Sequence, residues 1–171
     1  MFLLGESREH PMHVGGLQLF TPPEGAGPEF VHDLYRDMLA HTNFNPTYRK
    51  RPARILGGIA SFGWAYDDEV DVDYHLRRSA LPSPGRVREL LDLCGRLHTS
   101  LLDRHRPLWE TFLVEGLEDG RFAVYSKVHH ALLDGVSALR MTMRTLSDDP
   151  AETDGAGGTS HLSISAEVQI G

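Results

Sequence analysis

The residues best suited to chemistry form one short stretch, His129-His130-Ala131-Leu132-Leu133-Asp134-Gly135. A strand-like run, 122–128, precedes it and a helix-like run, 136–146, follows. Side chains on a strand alternate between two faces. On that spacing Phe122, Val124, Ser126, Val128 and His130 share one face, and Ala123, Tyr125, Lys127 and His129 share the other. His130 therefore ends a mostly apolar face, and His129 sits with Lys127 and Tyr125. A neutral imidazole in a partly dry pocket can take a proton from an alcohol or a thiol, and the ordinary histidine pKa of about 6.5 suits a general base near neutrality. Asp134 has two available roles: to orient or ion-pair a group behind the site, or to cap the following helix through its free N–H groups. Gly135 permits a tight turn or the close approach of another element. A metal site is not supported, because adjacent histidines point to opposite faces of a strand and no second cluster supplies further ligands.

The elements that must position this stretch are a run of strands and helices. The spacing predicts a strand over 13–20, interrupted by Gly15-Gly16, a Pro/Gly loop over 21–28, and a helix over 28–41 with Phe30, Val31, Leu34, Tyr35, Met38 and Leu39 on one face. Arg49, Lys50, Arg51 and Arg54 form a basic cluster, read as a solvated face in preference to a surface for anionic lipid or nucleotide phosphates. A short aromatic strand is expected at 63–66. The acidic stretch that follows, with Val70 and Val72 alternating among Asp67, Asp68, Glu69, Asp71 and Asp73, reads as an exposed strand edge. Residues 74–81 read as a further strand. The clearest helix spans 84–102, with Val87, Leu90, Leu91, Cys94, Leu97 and Leu101 as its stripe. Cys94 on that stripe is a core residue. Strands at 111–114 and 122–130 are joined across Glu118-Asp119-Gly120, and Val136, Leu139, Met143 and Leu146 face inward on a helix over 135–146. Trp109 is expected to be buried, its indole N–H partnered, in support of the strand that carries His130. The domain is taken as 1–147, with 148–171 an acidic, Gly-rich linker or tail; 161–171 alternates weakly enough to form a strand.

Composition bounds the function. The chain has 171 residues and a single cysteine, so no internal disulfide can form and a reducing, cytoplasmic compartment is expected. No apolar run approaches the roughly 20 residues that span a bilayer. The net charge of −7 is concentrated at the end: without Asp148, Asp149, Glu152, Asp154 and Glu167, 19 acids remain against 17 bases. A nearly balanced body does not point to nucleic acid.

The HHxxxDG pattern resembles the acyl-CoA-dependent acyltransferase and condensation-domain superfamily. Pro11-Met12-His13-Val14-Gly15 and Pro107-Leu108-Trp109, in that order before it, resemble the bacterial wax ester synthase/diacylglycerol acyltransferase family. The resemblance runs over about 2–150 and covers the N-terminal part of such an enzyme. It implies a mixed α/β, chloramphenicol-acetyltransferase-like half that packs on a C-terminal half, with the catalytic histidine in a channel between them. It also implies transfer of a long-chain acyl group from acyl-CoA to diacylglycerol or a long-chain alcohol, with His130 as general base. His129 would shape the site, Asp134 would hold the loop, and Gly135 would keep the turn tight against substrate. His75, at a position often occupied in the family, is read as packing or support. Acyl-CoA is then a substrate and no cofactor is implied. A peripheral association with the inner membrane or lipid droplets fits such acceptors. Two other readings share the motif: a condensation-type domain of a peptide synthetase, and a truncated, non-catalytic lipid- or partner-binding fragment.

Overall fold

The computed structural model describes residues 5–40, 46–54, 62–132 and 163–170. Along the chain run β1 (His13–Thr21), α1 (Phe30–Ala40), a 3-10 turn (Pro46–Arg49), β2 (Lys50–Arg54), β3 (Phe62–Tyr66), the single helical turn α2 (Val72–His75), β4 (Leu76–Ala80), α3 (Val87–Thr99), β5 (Trp109–Glu115), β6 (Phe122–His129) and β7 (Ser163–Ile170). Five strands form one mixed sheet in the order β4-β5-β6-β1-β7, and β2 and β3 form a separate two-stranded sheet. β4 and β5 run parallel, with α3 as the crossover between them; the other pairs of the main sheet are antiparallel. The mixed α/β class expected from the sequence is the class found.

β6 lies between β5 and β1, which makes it the strand best placed to hold a fixed side chain. Its register sets Tyr125 between Phe112 and Leu17, and Lys127 between Glu110 and Gly15. The face formed by Ala123, Tyr125, Lys127 and His129 is fully buried, and the opposite face is only half-buried beyond Phe122. The apolar-looking face is thus the more open of the two. The reason is α3, whose Leu90, Leu93, Cys94 and Leu97 close the Tyr125 side in a core with Leu17, Leu19, Phe112 and Val114. On the far side Phe30, Val31, Leu34 and Tyr35 of α1 pack on Phe20, Leu113 and Phe122.

α3 is shorter than the spacing suggested and is rotated. Val87 and Leu91, placed on the inward stripe, are 44% and 45% exposed, while Leu93 packs inward. The helix is preceded by Gly85 at φ +77°, where an added Cβ would fall 1.8 Å from the carbonyl oxygen of Gly116, so only glycine fits. At the other end Ser100 Oγ donates to Leu97 O at 2.8 Å. Cys94 is buried, as expected, and desolvation pushes its thiol up to about 11.

Two further expectations are corrected. The acidic stretch before β4 is not a strand edge: Asp71 caps α2 by accepting the Tyr74 N–H at 3.2 Å, and Val70 packs under Trp109. A short aspartate ahead of free N–H groups favours a helical turn over extension. In consequence Tyr74 and His75 belong to α2, and β4 begins only at Leu76. β7, in the weakly alternating end of the chain, pairs antiparallel with β1, Gly15 opposite Ile170 and Leu17 opposite Val168.

Candidate active site

β6 ends at His129, and the chain turns at once. The Leu132 N–H donates to His129 O at 2.9 Å, so His130 sits at the corner of a tight turn, half-buried. Three segments hold that turn. Met12 accepts the His130 N–H at 2.8 Å, and Leu108 accepts the His129 N–H at 3.0 Å. Beyond the corner, Ala131 packs against Leu102 and Leu108, and Leu132 against Trp109. The two motifs distant in sequence, around Met12 and around Leu108-Trp109, therefore converge on the paired histidines and fix the backbone on either side of His130.

Trp109 is 7% exposed, and its indole N–H donates to Tyr48 O at 2.9 Å. His75 stacks on it with ring centroids 4.5 Å apart and donates its Nδ1 proton to Trp109 O at 2.7 Å. The expected supporting roles of both residues are what the packing provides. Burial holds the His75 pKa below its ordinary value.

His129 and His130 differ in what their rings can do. The His129 ring is wholly buried, and its Nδ1 accepts the Ala131 N–H at 2.9 Å. That contact occupies the basic lone pair, so in the neutral ring the proton resides on Nε2. Nε2 faces Glu6 Oε1 at 3.3 Å, a charge contact aligned too poorly for a good hydrogen bond. Burial is the main influence lowering the His129 pKa, partly opposed by Glu6. A ring so placed has its basic lone pair taken by the backbone of its own turn.

Behind the histidines lies a buried polar layer absent from the sequence expectations. The Lys127 ammonium donates to Leu97 O at 3.0 Å, Ser100 O at 2.8 Å and Ser100 Oγ at 3.1 Å, and it lies 3.3 Å from Glu110. A cation among the last carbonyls of α3 complements the helix dipole. His13 bonds through Nε2 to His98 O at 2.7 Å, and His98 Nδ1 bonds the Tyr125 hydroxyl at 2.7 Å. Glu6, beside His129, pairs in turn with Arg104, 3.0 Å away. Lys127 carried one usable signal, a lysine between apolar residues on a central strand; Glu6 and Arg104 carried none, because their meeting spans 98 residues of sequence.

Asp134 and Gly135, and the helix expected after them, lie outside the described residues. No three His, Cys, Asp or Glu side chains gather as a metal site among the described residues. No helix there is long and apolar enough to cross a membrane.

The mixed α/β sheet has the fold of condensation domains. The starter condensation domain of rhizomide synthetase superposes with a TM-score of 0.57 at 11% identity, over 83% of this chain and 32% of that one, a likeness of fold alone. The chain belongs to the wax ester synthase/diacylglycerol acyltransferase catalytic domain family, which it matches over residues 1–163. It is similar to the wax ester synthase/diacylglycerol acyltransferase of Marinobacter aquaeolei VT8, with a TM-score of 0.83 and 48% identity over 88% of this chain and 37% of that one. It is 67% identical over 154 residues to a probable diacylglycerol O-acyltransferase of Mycobacterium tuberculosis, covering 90% of this chain and 34% of the relative. The chain thus spans about a third of the length of the curated relatives it matches.

Proposed function

We propose that this chain supplies the histidine-bearing half of an acyl-CoA-dependent O-acyltransferase, with diacylglycerol or a long-chain alcohol as acceptor and His130 as the general base. One observation carries the choice of base: the His129 lone pair is taken by the Ala131 N–H, while the neighbouring ring stands at the half-buried corner of a turn held on both sides. Family membership and the names of the relatives support the reaction class and acceptor.

The step balances without an added co-reactant. His130 takes the acceptor hydroxyl proton as the oxygen attacks the thioester carbonyl. The tetrahedral oxyanion collapses, the C–S bond breaks, and the departing CoA thiolate takes the proton from His130. Both substrates are held together, so no acyl-enzyme is needed. Asp134 is assigned to holding the loop and Gly135 to keeping the turn tight beside substrate. No resident cofactor is invoked, acyl-CoA being consumed. A second half, packed on the open side of β6, would complete the channel and exclude water.

The test is thiol release from palmitoyl-CoA, with diacylglycerol or hexadecanol, by the domain carried in a chain of the relatives' full length. His130→Ala is expected to lose about 10²–10⁴-fold in rate, and His129→Ala less. An unchanged rate in His130→Ala would remove the assignment.

A further inference from the structure

Glu6 takes no part in the acyl-transfer step, yet its side chain is 1% exposed and engaged on both oxygens. Oε1 accepts the Met12 N–H at 3.2 Å and lies 3.3 Å from His129 Nε2, while Oε2 accepts from the Arg104 guanidinium at 3.0 Å. Met12 is the residue whose carbonyl takes the His130 N–H at 2.8 Å. One carboxylate therefore touches the ring preceding His130 and the backbone that holds His130 itself.

We propose that Glu6 is a positioning residue for His130, selecting the Nε2–H form of His129 and clamping Met12 so that the next imidazole is presented in one orientation. The proposal rests on the reading of His130 as the general base. Two contacts set the tautomer. In the Nε2–H form, Nδ1 accepts the Ala131 N–H and the positive N–H end of Nε2 lies beside the carboxylate, 3.3 Å away. In the opposite form, the Nδ1 proton would face the Ala131 N–H, donor against donor, and a bare lone pair would face Glu6. Ala131 and Glu6 thus favour the same form from opposite sides of the ring. That form keeps the ring in place, and with it the turn in which His130 is the corner. Arg104, from the loop after α3, supplies the counter-charge that a buried carboxylate needs.

Glu6→Gln is nearly isosteric and isolates the effect. Two donors, the Met12 N–H and the Arg104 guanidinium, each bond one oxygen of this side chain, and an amide offers one oxygen where the carboxylate offers two, so one donor faces an N–H group. Misplacement on the scale of an ångström can cost about a hundredfold in rate. Expected for Glu6→Gln, in the full-length context, is a fall in kcat of at least about tenfold per folded molecule, with the KM for acyl-CoA changed less than about twofold. Arg104→Lys, which keeps the counter-charge, should fall much less. Ring 15N spectra of histidine-labelled protein at neutral pH should show His129 as the Nε2–H form in the parent, and a mixed or shifted pattern in Glu6→Gln.

A kcat for Glu6→Gln within about twofold of the parent per folded molecule would overturn the proposal, since a role confined to stability predicts that result. So would a parent spectrum with the proton on Nδ1, a measurement that decides the matter even if Glu6→Gln fails to fold. Failure of the base assignment reads differently: His130→Ala would keep its rate while the His129 tautomer stayed as stated.

Discussion

The ammonium of Lys127 stands 3.3 Å from the carboxylate of Glu110, with side chains 0% and 7% exposed. The pair ties β5 to β6 one step before the histidine turn, and the same ammonium ties both strands to the end of α3. Desolvation lowers the lysine pKa, and Glu110 opposes that shift. The arrangement is a fixed platform under the paired-histidine turn.

Lys127→Met tests the platform by keeping chain length and removing charge. Among the described residues it leaves Glu110 with Arg77, 3.5 Å away and partly exposed, and removes the ammonium from Leu97 O and Ser100 O at the end of α3. Breaking one side of a buried pair costs about 3–5 kcal/mol, and urea unfolding should register a loss of that size. Glu110→Gln should cost less, because Lys127 keeps its three oxygens at the helix end. A loss below about 1 kcal/mol in Lys127→Met would place the pair in the range of a surface ion pair.

Gly15 and Gly16 are adjacent on β1, and substitution should have opposite effects. A Cβ on Gly15 would lie 2.7 Å from the Tyr125 hydroxyl and 3.0 Å from His98 Nδ1, the two atoms of a buried hydrogen bond. Overpacking of this kind costs about 1–3 kcal/mol. A Cβ on Gly16 meets nothing within 4 Å among the described residues, and Gly→Ala without strain stabilises by about 0.4–1 kcal/mol. Thermal unfolding of Gly15→Ala and Gly16→Ala side by side decides it. Tyr125→Phe should partly restore Gly15→Ala by removing the nearest atom; equal melting temperatures for the two alanine variants would contradict the close approach.

What could be read from the sequence followed the range of each interaction. Strand and helix periodicity is local, and β1, α1, β5, β6 and α3 lie where it placed them, within a few residues. The motif histidines fall together at one strand end, as their spacing implied. Periodicity alone did not settle which face of β6 is closed: Phe122, Val124 and Val128 are more apolar than Tyr125, Lys127 and His129, yet α3 covers the latter. A fully buried lysine reads as exposed until the carbonyls that receive it are known. The α2 turn was missed because alternating Val70 and Val72 mimicked a strand while Asp71 acted as a cap. The contacts of Glu6 join residues from opposite ends of the domain, and no local pattern encodes them.

Acid should weaken the fold through its buried histidines. His13, His75 and His129 are 4%, 0% and 0% exposed, and burial is the leading cause lowering each pKa from 6.5. A group with a depressed cationic pKa in the folded state binds fewer protons there than in the unfolded chain. Stability is therefore complete above about pH 6.5 and falls as the pH drops from that value toward the folded pKa, by up to about 1.4 kcal/mol per pH unit for each group. Asp71, Asp103 and Asp119, lowered from 3.8, add their own loss only at lower pH. The melting temperature should thus decline between pH 7 and 5 and decline less in His75→Gln, which has no cationic form. Tryptophan emission gives a local reading of the same event. Of the two tryptophans, Trp64 is 41% exposed, and Trp64→Phe leaves Trp109, stacked on His75, as the sole reporter. Imidazolium quenches a stacked indole, so Trp109 emission should hold steady through pH 6.5 and fall only below it. A quenching midpoint at or above 6.5 would mean that His75 is not held neutral by burial, and the acid sensitivity assigned to it would be lost.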